Sequence, residues 1–317
     1  MKPLRIAVVG SGYMGRLHLR KVTELAESEP GVALTCLVEP DPERRKQAAE
    51  AHGVPAFEDH RELAGFADAA IVAAPTVSHR IIAEDLLRAG LDVLVEKPLA
   101  ADLEEAEALL DLAHRSGRVL QVGHLERFNP ALQAVMAHTQ RPLFVEAHRL
   151  GPFPDRSTDV DVVRDLMIHD LDLIQRLVGE EPERVEAVGV PVLTDKVDIA
   201  NARITFATGC VANVTASRVS PTPMRKLRFF QHDGYFSIDL LEHSVVIFRR
   251  TPTEGEPRIE MEKLEFDPED ALMAQLRAFV ASVRDRDHPV VSARDALSAL
   301  RTALRVIEAM PDVSELA

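Results

Sequence analysis

Ile6-Ala7-Val8-Val9-Gly10-Ser11-Gly12-Tyr13-Met14-Gly15 runs a short apolar strand straight into G-x-G-x-x-G, and a helix-like stretch follows at once. Each glycine has its own physical reason. Gly10 lets the chain turn sharply off the strand. Gly12 lets the backbone approach a pyrophosphate where any Cβ would collide, and Gly15 lets the new helix pack close on the sheet. A diphosphate then sits on the unpaired N–H groups and positive dipole end of that helix, around Tyr13 and Met14. The glycines alone are weak evidence. A strand before them and a helix after them is the setting the motif requires.

An acidic residue at the next strand end agrees. Residues 32–38 (VALTCLV) read as a short buried strand, and Glu39 ends it. Glu39 lies about two dozen residues past the glycines, close to the spacing for a carboxylate that binds the adenosine ribose. Taken alone it reads as a solvated strand-end charge. With the glycines it reads as a cofactor ligand that repels a 2′-phosphate, which favours NAD over NADP. Arg44 and Arg45 follow closely and are able to accept that phosphate.

Composition bounds the function. A chain of 317 residues implies two domains, and 46% hydrophobic residues supply substantial cores. A net charge of -14 excludes nucleic acid or an anionic membrane as the main partner. Cys36 and Cys210 lie in apolar strand-like runs without metal-ligand spacing, so they read as buried hydrophobes in a reducing compartment, and no metal is expected. The N-terminal apolar run ends in the glycine loop and does not resemble a signal peptide. No apolar run is long enough to span a bilayer, and the expected location is the cytoplasm.

Up to residue 123, predicted strands at 6–9, 34–38, 69–73, 92–95 and 119–122 alternate with helical patterns such as 80–89 and 103–116. That rhythm implies an α/β Rossmann domain, a doubly wound parallel sheet with ligands at the carboxyl ends of its strands. From 124 to 317 the rhythm changes. A helix begins near Pro130, a strand follows at 143–150, and a helix at 160–177. Strands are then expected at 188–192, 198–206, 210–217, 226–231, 235–239 and 245–249. Two helices, 268–286 and 293–310, close the chain and have the option of packing back on the first domain. This reads as an α+β domain on a large, open, mostly antiparallel sheet. One face of such a sheet needs a cover, and a second subunit is the usual one.

Two further motifs carry chemistry. Glu96-Lys97-Pro98 follows the buried run DVLV, which aims Lys97 at the nicotinamide end of a cofactor rather than at bulk solvent. In Arg164-Asp165-Leu166-Met167-Ile168-His169-Asp170-Leu171-Asp172, Asp165 and His169 are i and i+4 on a helix, hence on one face, with Asp172 near it. A lone His there reads as a packed helix residue. An Asp, a His and a Lys converging on one cleft remove a proton from a hydroxyl while its carbon loses hydride. His169 serves as base, and the ammonium of Lys97 stabilises the alkoxide.

With these residues in place the chain resembles the glucose–fructose oxidoreductase/inositol dehydrogenase/MocA (Gfo/Idh/MocA) family over essentially its whole length. The resemblance rests on GSGYMG, on APTVSH (Ala74, Pro75, Thr76, His79), on EKP and on the D-x-x-x-H helix. It implies an NAD-dependent oxidoreductase with Lys97, Asp165 and His169 around the reacting carbinol and hydride passing to nicotinamide C4. It also implies that Ala74, Pro75, Thr76, His79 and Glu96 line the nicotinamide half of the cofactor site. Many members place glycines around the helix Asp and His. Here Val163-Arg164 precede Asp165 and Leu166-Met167-Ile168 precede His169, so the pocket differs from that of free-sugar or inositol enzymes.

Gly123-His124-Leu125-Glu126-Arg127-Phe128-Asn129-Pro130 offers a cation, an amide, a carboxylate and an aromatic within a few residues, suited to a sugar with an attached phosphate. It also reads as a capped helix start, with Asn129 as cap and Pro130 at the first helical position. GHLERFNP with VVRDLMIHDLDLI is similar to the nucleotide-sugar branch of the family. That implies a UDP-sugar substrate, UDP-GlcNAc oxidised at C3, followed by a partner aminotransferase in lipid A synthesis, and a homo-oligomer (dimer or tetramer). His124, Glu126, Arg127, Phe128, Asn129, Arg164, Asp165 and His169 are the predicted substrate contacts, with Arg149 and Arg218 as weaker candidates. Two alternatives stay open: a dehydrogenase of an unactivated sugar or inositol, and a non-catalytic dinucleotide-bound sensor.

Overall fold

The computed structural model describes residues 2–136, 138–153, 160–251 and 258–311. The chain forms two compact units. One comprises Met1–Leu125 with Asp270–Leu297, the other Glu126–Glu269 with Ser298–Ala317.

In the first unit β1 (Leu4–Val9), α1 (Tyr13–Ser28), β2 (Val32–Val38), α2 (Pro42–His52), β3 (Ala56–Phe57), β4 (Ala69–Val72), α3 (Thr76–Arg88), β5 (Asp92–Val95), α4 (Leu103–Ser116) and β6 (Leu120–Val122) follow in turn. Their all-parallel sheet has the order β3-β2-β1-β4-β5-β6, the Rossmann arrangement expected. The strands are short continuous apolar runs because both faces are covered. Local signals set the helix ends. In α2, the Asp41 side chain accepts from Arg44 N, Pro42 opens the first turn, and Gly53 closes the helix at φ 65°.

The second unit holds α5 (Pro130–Met136), β7 (Phe144–Leu150), α6 (Ile168–Val178), β8 (Pro182–Val190), β9 (Ile199–Phe206), β10 (Val211–Ser217), β11 (Met224–Gln231), β12 (Gly234–Asp239), β13 (Ser244–Thr251) and β14 (Arg258–Glu265). Their eight-stranded sheet has the order β14-β13-β12-β11-β7-β10-β9-β8. Only the β7–β10 pair is parallel among these strands, so the mostly antiparallel open sheet is as expected. Alternate residues such as Val145, Ala147, Ile204, Val214, Phe229 and Ile247 form a buried face. It packs with Met167, Leu171 and Ile174 beneath α6, and with Leu132 and Val135 of α5. On the opposite face Phe144, Phe230, Tyr235 and Phe248 are cross-strand neighbours in one row, with successive ring centroids 5.7, 4.6 and 5.9 Å apart.

The final helices are α7 (Ala271–Asp285) and α8 (Ala293–Glu308). Leu276, Phe279, Val280 and Val283 of α7 join Ile6, Val8, Leu19 and Leu25 in the core of the first unit. The Asp270 side chain caps α7 and pairs with Lys21 of α1 at 2.7 Å. Ala299, Ala303 and Val306, later in α8, join the core of the second unit.

Three local expectations change. The helix predicted over 160–177 starts with a π-helical turn, Val163–Met167, before α6, and residues 154–159 lie outside the description. The strand predicted at 188–192 is the end of β8, which begins at Pro182. An eighth strand, β14, reads RIEMEKLE with nearly every residue exposed. A sheet edge laced with charge resists pairing with other chains, and the same charges erase the apolar alternation that marks a strand.

Candidate active site

At the end of β1 the three glycines differ in what surrounds them. Gly10 has φ 96°, and a Cβ there would lie 2.6 Å from the Ala73 carbonyl oxygen. A Cβ at Gly15 would lie 2.0 Å from the Gly10 carbonyl oxygen. At Gly12 a Cβ would meet nothing within 4 Å, and this residue caps α1 without any side-chain hydrogen bond. Protein packing therefore explains the first and third glycines, while the space beside the second, at an uncapped helix N-terminus, fits a dinucleotide diphosphate. Gly12→Ala is expected to weaken NADH binding about tenfold or more (about 1.4 kcal/mol). The melting temperature should stay unchanged, because φ is an ordinary -65°. Fluorescence titration beside a thermal melt checks this, and Gly15→Ala should instead lower the melting temperature.

Glu39 ends β2 and is buried. Its Oε2 accepts from Ser11 N at 2.9 Å and Ser11 Oγ at 2.7 Å, and its Oε1 from Asp41 N at 3.1 Å. Burial alone would raise its pKa, but these bonds and Arg44 outweigh that and hold the carboxyl below its usual range. The anion thus stands against the glycine loop. Arg45 donates to the carbonyls of Glu39 and Pro40 at 2.7 and 2.9 Å, which engages its Nη1. Arg44, half-exposed and 3.3 Å from Glu39, is the cation better disposed toward a 2′-phosphate.

The ends of β4 and β5 carry APTVSH and EKP. Pro75 caps α3 and Thr76 begins it. His79 is buried, with Nε2 2.9 Å from the Ala74 carbonyl and Nδ1 2.8 Å from the Pro98 carbonyl. Burial lowers its pKa, and the two carbonyls and Glu96 offset only part of that. The neutral imidazole has one N–H, so His79 donates to one of these two strand-end carbonyls and meets the other with its unprotonated nitrogen. Glu96 is also buried, 2.6 Å from Nε2 of His18 on α1, while Lys97 is half-buried. Past β6, Gly123 leaves room for that carboxylate: a Cβ would lie 2.8 Å from Glu96 Oε2. His124, next along, is buried.

In the second unit, Asp161 Oδ1 accepts from the backbone N–H groups of Val163 and Arg164 at 3.0 and 2.9 Å and so starts the π-helical turn. Asp165 lies in that turn and His169 in the first turn of α6, both half-buried. An i→i+5 turn is wider than an α-turn, and such turns occur frequently at functional sites. Arg164 keeps 40% of its side chain exposed, 3.4 Å from Asp161. Asp172, expected near the face of Asp165 and His169, is instead buried in a bidentate pair with Arg127 at 2.6 and 2.7 Å.

The remaining predicted contacts are organised internally. Glu126 accepts from Arg149 at 2.8 Å, and Arg149 also clasps Asp170 at 2.9 and 3.0 Å. Asn129 accepts from Ala131 N and donates to the Leu240 carbonyl, each at 3.1 Å, so it is the helix cap that was foreseen. Phe128 is buried. Arg218 donates to Asp198 at 2.7 Å and to the Val160 carbonyl at 2.8 Å. Asp198 also accepts from the backbone N–H groups of Val192, Leu193 and Thr194, which hold its carboxyl well below the usual range despite burial. Ser11 and His18 were not among the predicted site residues. His18 carried a local signal, a polar residue on the apolar stripe of α1 with Leu19, Val22 and Leu25.

A Rossmann unit followed by an open-sheet α+β unit defines a two-domain, NAD-binding oxidoreductase. Residues 4–124 match the GFO/IDH/MocA oxidoreductase family with its NAD-binding Rossmann fold, and residues 132–237 match the GFO/IDH/MocA C-terminal domain. The chain belongs to this family. It is 38% identical over 283 residues to the UDP-N-acetylglucosamine 3-dehydrogenase of Acidithiobacillus ferrooxidans, covering 88% of each chain. The solved structure of UDP-N-acetylglucosamine 3-dehydrogenase GnnA from that organism superposes with a TM-score of 0.90 at 36% identity over 98% of each chain. A scyllo-inositol dehydrogenase from Lactobacillus casei, solved with NAD(H) and scyllo-inositol, shares the fold. Its TM-score is 0.81 at 19% identity, over 98% of this chain and 97% of that one.

Proposed function

We propose that this enzyme oxidises the C3 hydroxyl of UDP-GlcNAc to the 3-keto sugar with NAD. The observation that carries this reading is the 38% identity, spread over 88% of the chain, to a dehydrogenase of that substrate. Bound NAD supplies the hydride acceptor. His169 takes the hydroxyl proton, Asp165 orients the imidazole, and the ammonium of Lys97 stabilises the alkoxide as it forms. Glu39 selects NAD by disfavouring a 2′-phosphate. Among the arginines considered for the substrate, Arg164 is favoured, because Arg127, Arg149 and Arg218 are held in buried pairs. The Nε of Arg164 has no hydrogen-bond partner among the described residues. His124 is the other proposed substrate contact, while Glu126, Arg127 and Asn129 are engaged in hydrogen bonds within the second unit.

The test is NADH formation with UDP-GlcNAc beside free GlcNAc and myo-inositol, with a sugar aminotransferase added to draw the equilibrium forward. Turnover of the UDP-sugar alone supports the reading, and turnover of the free polyols overturns it. Stimulation by the aminotransferase would also support our placement of the product ahead of a transamination, in lipid A synthesis. The cytoplasm is the compartment this assigns. Among the described residues no helix is long and apolar enough to cross a membrane.

The aromatic row on the outer sheet face favours a homo-oligomer. A two-fold axis would lay the row of one subunit against the row of another and remove it from water. Phe230→Glu, in the middle of the row, is expected to shift the mass in light scattering to that of one 35.0 kDa chain. An unchanged mass would place the interface elsewhere.

A further inference from the structure

Glu96 is a carboxylate buried among three elements that have no packing need for one. His18, fully buried on α1, presents Nε2 to Glu96 Oε1 at 2.6 Å. Gly123, just past β6, provides the room for the carboxylate. Glu96 itself directly precedes Lys97, and its backbone N–H donates to the Val72 carbonyl of β4 at 2.9 Å. A buried acid is retained at a desolvation cost, and an apolar side chain of the same size would fill the space at least as well. The pair is therefore best explained by what it holds in place.

We infer that His18 is a positioning residue for Lys97. It anchors Glu96 to the helix whose N-terminus carries the glycine loop, and so fixes the residue before the catalytic lysine to the cofactor cradle. On the other side of Lys97, the Pro98 carbonyl lies 2.8 Å from His79 on α3. Lys97 is thus flanked by two residues tethered to different helices. A lysine side chain has four flexible torsions, so its ammonium is only as well placed as the backbone from which it springs. A misplacement of about 1 Å at a reacting centre can cost about a hundredfold in rate. The inference rests on the role proposed above for Lys97, and its test includes a readout that needs no substrate.

Four proteins decide it, with Lys97→Arg as a fifth for assignment: wild type, His18→Gln, His18→Leu, and His18→Leu with Glu96→Met. Glutamine keeps a donor near the position of Nε2. The single leucine variant strands a buried carboxylate and is prone to unfold, whereas the double variant replaces both polar partners with apolar ones and is expected to melt near the wild-type temperature. Expected for the double variant is a kcat reduced by about ten- to a hundredfold, with KM for the sugar within about twofold of wild type, a span that corresponds to only a fraction of a kcal/mol. His18→Gln should restore most of kcat. In parallel, the lysines are reductively methylated with ¹³C, and the Lys97 signal, assigned with Lys97→Arg, is followed by NMR. It should shift or broaden in the double variant and return toward wild type in His18→Gln. A double variant with wild-type kcat and an unmoved Lys97 signal would overturn the inference. So would a loss of kcat that His18→Gln fails to rescue. Absence of turnover of UDP-GlcNAc by the wild type itself would defeat the functional reading, and the Lys97 signal would still decide the tether.

Discussion

His169→Ala is expected to lower kcat on UDP-GlcNAc by about 10²–10⁴-fold, the range associated with removing a positioned general base. Binding of NADH should be largely kept, because the glycine loop and Glu39, the proposed cofactor contacts, belong to the first unit and are untouched by the change. The melting temperature should change little, since the imidazole is half-buried and helix α6 is held by Leu171, Ile174 and Leu177 below it. The stopped-flow rate of NADH formation and a binding titration check both halves. Retention of wild-type kcat would remove His169 from the mechanism and shift attention to the sensor alternative. Lys97→Ala should resemble His169→Ala in the direction of its effect. In the proposed mechanism His169 takes the proton and Lys97 stabilises the alkoxide it leaves, so the double variant should lose far less than the product of the single losses.

Arg149→Ala should be the most damaging change to stability. Its guanidinium is buried and clasps Asp170 with two nitrogens and Glu126 with the third. Truncation leaves Asp170 without its cation and Glu126 with only Arg225 at 3.5 Å, and breaking one buried pair by removing a partner costs roughly 3–5 kcal/mol. Urea unfolding is expected to show a midpoint lowered by that free energy divided by the slope, with the slope itself unchanged. A substrate-contact role predicts the reverse pattern, a raised KM and an ordinary melt. A triple change of Arg149, Glu126 and Asp170 to apolar residues of similar volume should recover much of the loss, since what the single variant forfeits is compensation of charge rather than packing.

The two outcomes mark how far the chain was legible before its structure. GSGYMG could be read because its signal sits within six residues: Gly10 turns at φ 96°, and Gly15 comes up against the Gly10 carbonyl. The parallel sheet followed from strand–helix alternation and handed crossovers, both rules about consecutive elements. Asn129 was legible as a cap for the same reason. The arginines were not. Arg127 meets Asp172 across 45 positions and Arg149 meets Asp170 across 21, and nothing near either arginine announces its partner. A cation beside a suspected pocket therefore reads as a ligand contact until the fold supplies a carboxylate. The π-helical turn escaped for a different reason: Val163–Met167 has the apolar spacing of an ordinary helix, and nothing in that spacing distinguishes the wider turn. His18 stood in plain view on an apolar stripe, yet its partner lies 78 positions away.

The return of α7 to the first unit bears on how this protein is made. The cofactor-binding core is discontinuous, since Leu276, Phe279 and Val280 complete a face begun by Ile6 and Val8. During synthesis the chain emerges from its N-terminus at a handful of residues per second. The parallel sheet therefore leaves the ribosome with one face only partly covered, by α1 and α2, and stays so until more than 140 further residues have followed, as α7 begins at Ala271 and β6 ends at Val122. Over that interval a nascent-chain chaperone has an apolar surface to shield, and the glycine loop stands on a scaffold still short of one wall.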